Sequence, residues 1–75
     1  MTASIHPTAI VDPAARLGEG VEIGPFCIVG PQVVLGDRVR LMSHATVAGN
    51  TTVGEDCVLY PGVHIGHPPQ DFKYQ

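Results

Sequence analysis

Aliphatic residues recur every six positions along this chain, eleven times in succession and without an insertion: Ile5, Val11, Leu17, Ile23, Val29, Leu35, Leu41, Val47, Val53, Leu59 and Ile65. A period of six matches neither the 3.6-residue turn of an amphipathic helix nor the two-residue alternation of a half-buried strand. It predicts a parallel β-helix, in which each repeat forms one flat side of a coil. Four residues after each aliphatic stands a second column: Ala9, Ala15, Val21, Cys27, Val33, Val39, Ala45, Thr51, Cys57, Val63 and Pro69. These residues are small or β-branched almost throughout, as a narrow interior requires. Directly after the aliphatic comes Gly18, Gly24, Gly30, Gly36, Gly54 or Gly66, with Ala48 as a near match, and glycine there predicts a sharp corner with unusual dihedrals. Each hexad is expected to carry one strand and one turn.

Three hexads close one triangular coil, which places residues eighteen apart in register on successive coils. The stacked columns stay apolar under that rule: Ile5, Ile23, Leu41 and Leu59; Val11, Val29, Val47 and Ile65; Leu17, Leu35 and Val53. Coils in such a stack lie about 4.8 Å apart, and eleven hexads make a little under four of them. The pattern breaks in the run from His67 to Gln75. Asp71 stands where the next aliphatic should be, and Pro68 and Pro69 cannot donate to a strand ladder. The expected organisation is one all-β domain, a hexapeptide-repeat β-helix over residues 1–70, with 71–75 beginning a loop that leaves it. A solenoid needs its ends covered; only ten residues follow Ile65, so an uncapped end is expected.

Seventy-five residues allow a single small domain. A net charge of −3, with only four Lys and Arg in all, argues against nucleic acid, whose phosphates call for a concentrated basic surface. No charged segment leads into an apolar stretch and no apolar run is long enough to cross a bilayer, so neither secretion nor a membrane is signalled; the cytoplasm is the default. Cys27 and Cys57 fall in the small interior column on different sides of the prism, which predicts buried, reduced thiols.

Loops on a rigid scaffold are where binding groups concentrate. Asp71 is suited to accept hydrogen bonds from a sugar hydroxyl and Lys73 to meet a phosphate or carbonyl oxygen; the same spacing also fits an ordinary solvated loop. The four histidines, His6, His44, His64 and His67, include no pair five apart of the kind that holds zinc in β-helical carbonic anhydrases. His64 and His67, three apart across a corner, fit no familiar zinc template. None has an acidic neighbour in sequence to orient it as a base, so no catalytic pair and no metal site are assigned.

The runs His6-Pro7-Thr8-Ala9-Ile10-Val11, Ile23-Gly24-Pro25-Phe26-Cys27-Ile28-Val29-Gly30-Pro31 and Ser43-His44, with Ile65-Gly66 followed by Gln70-Asp71-Phe72-Lys73-Tyr74, resemble the start of the acyl-[acyl-carrier-protein]:UDP-N-acetylglucosamine O-acyltransferases. The resemblance covers essentially the whole chain and rests most specifically on the Gly-Pro-Phe-Cys and Gln-Asp-Phe-Lys-Tyr runs. It implies a left-handed β-helix, whereas the general rule for parallel crossovers favours right-handed connections. It also implies a homotrimer with active sites between subunits, and the first committed step of lipid A synthesis in the cytoplasm of Gram-negative bacteria. In that reaction a histidine acts as base on the glucosamine 3-hydroxyl of UDP-N-acetylglucosamine, which attacks the thioester of a (3-hydroxy)acyl chain on acyl carrier protein, without metal or organic cofactor. Carried onto this sequence, Asp71 is a sugar-side contact and Lys73 a contact for polar groups of the substrate. None of the four histidines matches the family's base, which lies beyond the point corresponding to Gln75, and no catalytic residue is assigned. The resemblance thus implies the N-terminal part of a longer acyltransferase, inactive alone. Two other readings of the residues stay open: a non-catalytic β-helix that oligomerises, and a piece of another hexapeptide enzyme such as an N-acyltransferase, an acetyltransferase or a zinc carbonic anhydrase.

Overall fold

The computed structural model describes residues 3–66. Each predicted aliphatic is the second residue of a two-residue strand: β1 (Ser4–Ile5), β2 (Ile10–Val11), β3 (Arg16–Leu17), β4 (Glu22–Ile23), β5 (Ile28–Val29), β6 (Val34–Leu35), β7 (Arg40–Leu41), β8 (Thr46–Val47), β9 (Thr52–Val53), β10 (Val58–Leu59) and β11 (His64–Ile65). They form three parallel sheets, which we call A (β1-β4-β7-β10), B (β2-β5-β8-β11) and C (β3-β6-β9). The register is the one the eighteen-residue spacing requires, with Ile5 opposite Ile23, Val11 opposite Val29 and Leu17 opposite Leu35. The fold is a left-handed parallel β-helix of three complete coils and two sides of a fourth. The usual right-handed preference comes from long twisted strands feeding a crossover helix. Here strands of two residues have little length over which to twist, and each crossover is only a short corner.

Hydrogen bonds tie coil to coil: Ser4 N–H donates to Val21 O at 2.7 Å, Gly24 N–H to Leu41 O at 2.8 Å and Arg40 N–H to Cys57 O at 2.9 Å. In these bonds the acceptor lies seventeen residues beyond the donor. Because side chains alternate along a strand, the first residue of each strand points out and the second points in. Every buried residue among those described belongs to one of the two predicted interior columns: Val21, Ile23, Cys27, Val29, Val33, Leu35, Val39, Leu41, Ala45, Val47 and Val53. Leu35 and Leu41 are the largest fully buried side chains and fill the middle coils.

Two expectations need correction. The glycines after the aliphatics are not, with one exception, the residues of unusual dihedral. Gly66 alone in that column has a positive φ, and the left-handed conformation falls mainly two positions later, at Gly20, Phe26, Arg38, His44, Asp56 and Gly62, with φ from 60 to 78°. Gly18, Gly24 and Gly36 are required by the next coil instead. A Cβ on Gly36 would sit 2.7 Å from the backbone nitrogen of Glu55, and one on Gly24 3.0 Å from Leu41 O. The second correction concerns the thiols. Both are free, and Cys27 is buried, its Sγ–H donating to Met42 O at 2.8 Å, but Cys57 is exposed. Cys57 belongs to the fourth coil, which has no further coil stacked on it among the described residues. The predicted domain limit at 70 and the loop at 71–75 lie outside the described residues.

Candidate functional site

The corner that joins sheet A to sheet B is the most chemically varied part of the surface. On successive coils it reads His6-Pro7-Thr8, Gly24-Pro25-Phe26, Met42-Ser43-His44 and Tyr60-Pro61-Gly62. The left-handed backbone at Phe26 and His44 turns both side chains outward on adjacent coils. Their rings stack with centroids 5.0 Å apart and planes at 28°, inside the range favoured for aromatic pairs. Below them, Phe26 N–H donates to Thr8 Oγ1 at 3.0 Å, and Thr8 N–H donates to His6 Nδ1 at 3.2 Å. His6 Nδ1 also lies 2.8 Å from Thr8 Oγ1. Alongside this corner a groove of about 620 Å³ crosses the outer face of sheet A, lined by Ser4, Glu22, Arg40, Pro25, Ser43 and Pro61. Arg40 Nε and Glu22 Oε1 pair across it at 3.2 Å, both well exposed, so the pair orients the groove's polar edge more than it stabilises the fold.

The outer row of sheet B is different. Ile10, 65% exposed, and Ile28, 46% exposed, stand beside Thr46 and His64, an apolar strip flanked by the exposed ring of Phe26. The end of this sheet leads into Gly66, with φ of 82°. A Cβ there would collide with Ala48 O and Thr51 Oγ1. Only glycine fits both the backbone conformation and the space. Gly66 is the last described residue before the run that contains Asp71 and Lys73.

The corner between sheets C and A carries the charge. Glu19, Asp37 and Glu55 follow one another eighteen residues apart, and Asp37 Oδ1 accepts from Glu19 N–H at 2.9 Å. Arg38 bridges them to the next coil, with Nε 2.7 Å from Asp56 Oδ1 and Nη2 3.0 Å from Glu55 Oε1. The hydrogen bond to Asp56 and its charge raise the Arg38 pKa above its ordinary value. The same hydrogen bond holds the Asp56 carboxyl below the usual carboxylate range. This arrangement relieves like-charge repulsion along the corner.

Asp71 and Lys73, the substrate contacts suggested by the sequence, lie outside the described residues, as does His67. The remaining histidines are dispersed: His6 and His44 on the A–B corner, in the first and third coils, and His64 on the outer face of sheet B. No group of three or more His, Cys, Asp or Glu side chains converges among the described residues in a way suited to a metal ion. No described helix is long and apolar enough to cross a membrane. What sequence reasoning missed is the ring stack and its groove. Phe26 and His44 are eighteen apart in the same column, so reading the columns of the corners as well as those of the core would have found them.

Residues 32–67 match the family model for the bacterial transferase hexapeptide (six repeats). The chain is 47% identical over 73 residues to the acyl-[acyl-carrier-protein]–UDP-N-acetylglucosamine O-acyltransferase of Chlamydia pneumoniae, which spans 97% of this chain and 26% of that enzyme. The enzyme of the same name from Caulobacter vibrioides is 57% identical over 72 residues, 96% of this chain and 27% of its own. A crystal structure of a UDP-N-acetylglucosamine acyltransferase superposes with a TM-score of 0.88 at 42% identity, covering 96% of this chain and 28% of that one. The chain therefore spans about a quarter of the length of the curated relatives it matches. Repeat, coil geometry and near-complete alignment together identify the chain with the N-terminal part of the UDP-N-acetylglucosamine O-acyltransferase family.

Proposed function

We propose that this chain forms the first coils of an enzyme that moves a (3-hydroxy)acyl group from acyl carrier protein to the 3-hydroxyl of UDP-N-acetylglucosamine. The observation that carries this reading is the alignment of nearly the whole chain with enzymes of that name. In the reaction the sugar oxygen bonds to the acyl carbon, the thioester C–S bond breaks, and the hydroxyl proton ends on the released thiol of the carrier. The described coils contribute a rigid wall. Gly66 is the pivot from which the segment bearing Asp71, as the sugar-side contact, and Lys73, as the contact for substrate polar groups, departs. The catalytic base belongs to later coils of the full-length enzyme, which works in the cytoplasm without a metal or organic cofactor.

A homotrimer is part of the same proposal. Its support is the apolar strip of Ile10 and Ile28 on sheet B with the exposed Phe26 beside it, a surface suited to a second copy of the chain. Light scattering at micromolar concentration should give three times the chain mass; a monodisperse monomer would remove this part. Binding of UDP-N-acetylglucosamine, followed by calorimetry on the full-length enzyme and on this chain, tests the rest. Loss of binding in Asp71→Ala and Lys73→Ala supports the reading. Undiminished binding in both variants refutes the roles given to these residues. No binding to either the wild-type chain or the full-length enzyme favours a purely structural β-helix.

A further inference from the structure

We propose that the face of the His44 ring turned away from Phe26 is a stacking site for a planar aromatic or heteroaromatic ring of a small molecule. The eighteen-residue register places Thr8, Phe26, His44 and Gly62 on four successive rungs of the A–B corner, about 4.8 Å apart. Thr8 closes the lower end by accepting from Phe26 N–H. Phe26 and His44 then stack at 5.0 Å. The fourth rung is glycine, and a Cβ built on Gly62 would meet nothing within 4 Å among the described residues. A ring placed on that rung repeats the spacing the first two rings already keep. Tyr60, 65% exposed, and Pro61 belong to the same corner of that coil and border the rung with further flat surface.

The adjoining groove favours a small molecule over a protein segment. It meets this corner at Ser43 and Pro61, and its volume of about 620 Å³ lies within the range usual for small-ligand sites. Ser4, Glu22 and Arg40 in the groove offer hydroxyl, carboxylate and guanidinium partners to polar substituents carried by the ring. Ser4, Glu22 and Arg40 have no part in the acyl-transfer reading, whereas Phe26, behind His44 in the stack, also borders the strip assigned to the trimer.

The test is an NMR titration of the whole chain with adenosine as probe and ribose as a ringless control, observing the His44 ring protons. Ring-current shifts that move upfield and saturate with adenosine, and are absent with ribose, are expected. Two variants suit the left-handed backbone, which asparagine adopts readily. His44→Asn removes the platform and Gly62→Asn places a side chain on the open rung. Each should weaken binding by about tenfold, the scale of one stacked base. Non-saturating shifts, or affinity unchanged in either variant, would overturn the proposal. So would through-space contacts from Phe72 or Tyr74 to the His44 ring before any probe is added, because the chain itself would then cover the face.

Discussion

Gly36→Ala and Gly30→Ala make the same chemical change in the same column of the repeat and should have opposite effects. Both positions lie outside the left-handed region, so alanine restricts the unfolded chain and by that alone stabilises by about 0.4–1 kcal/mol. The difference lies in the neighbouring coil. At Gly36 the new Cβ would stand 2.7 Å from the nitrogen and 3.0 Å from the Cα of Glu55, both backbone atoms of the next coil. These atoms cannot swing aside as a side chain would, so relief requires the two coils to separate at that corner. The bond from Gly36 N–H to Val53 O, 2.8 Å long, bears the separation directly. Overpacking of this kind costs about 1–3 kcal/mol, leaving a net loss of roughly 1–2 kcal/mol after the backbone gain. At Gly30 the nearest atom is Ala48 Cα at 3.5 Å, ordinary contact, so only the gain remains. Urea unfolding followed by far-ultraviolet circular dichroism, at one protein concentration to hold any assembly fixed, should separate the two variants by about 1.5–3 kcal/mol. Thermal midpoints would differ by about 6–20 °C for a chain of this size. Equal midpoints, or a Gly36→Ala variant at least as stable as the parent, would show that position 36 is glycine for some reason other than the backbone of the next coil.

Truncating Leu35, 1% exposed in the middle of sheet C, to alanine should cost about 2–5 kcal/mol, read from the same urea transitions. In native protein a thiol reagent should modify one cysteine, exposed Cys57, at once, while buried Cys27 reacts only on unfolding; mass mapping that finds both labelled equally fast would contradict the assigned burial. The native pKa of Asp56 is depressed by its hydrogen bond from Arg38, so its contribution is present above its unfolded pKa and is lost as pH falls through the lower native value. Asp56→Asn, which suits the left-handed backbone there, should therefore be slightly less stable than the parent at neutral pH. The difference should disappear in strong acid and shrink in high salt because the pair is exposed; a difference independent of pH would refute the pairing as its cause.

The core was legible because one physical demand, a narrow dry interior, repeats at every hexad and selects the same residue types each time. Leu35 and Val39 are buried for the same reason as Val21 and Ile23. The corners were harder to read because their demand is met in different ways. A left-handed backbone is reached by Gly20 and Gly62, by Asp56, and also by Phe26, Arg38 and His44, so no residue type marks the position. Glycine marks the position after six of the eleven aliphatics, and at Gly18, Gly24 and Gly36 the cause is the backbone of the next coil, invisible to a local reading. Cys57 shares a column with Cys27 but not its surroundings, since burial in a solenoid depends on the coil above as well as the residue's own column. For the site, Asp71 and Lys73 lie outside the described residues and rest on a break in the repeat and a family resemblance alone. The ring stack was hidden because its members come from separate hexads.

The relation between donor and acceptor seventeen residues apart makes this fold tolerant of one kind of length change and sensitive to another. Inserting eighteen residues of repeat would add a coil and leave every later side chain on the face it occupied before. Inserting six would keep the interior just as dry, because the hexad pattern is intact, but would carry everything downstream one face around the prism. The apolar strip of sheet B would then be split between two sides, and Gly66 would stand at a different corner. Such a variant could fold with nearly native stability and still present none of its recognition surfaces in the right place, so in this architecture the number of hexads between two features acts as an angular coordinate as well as a length.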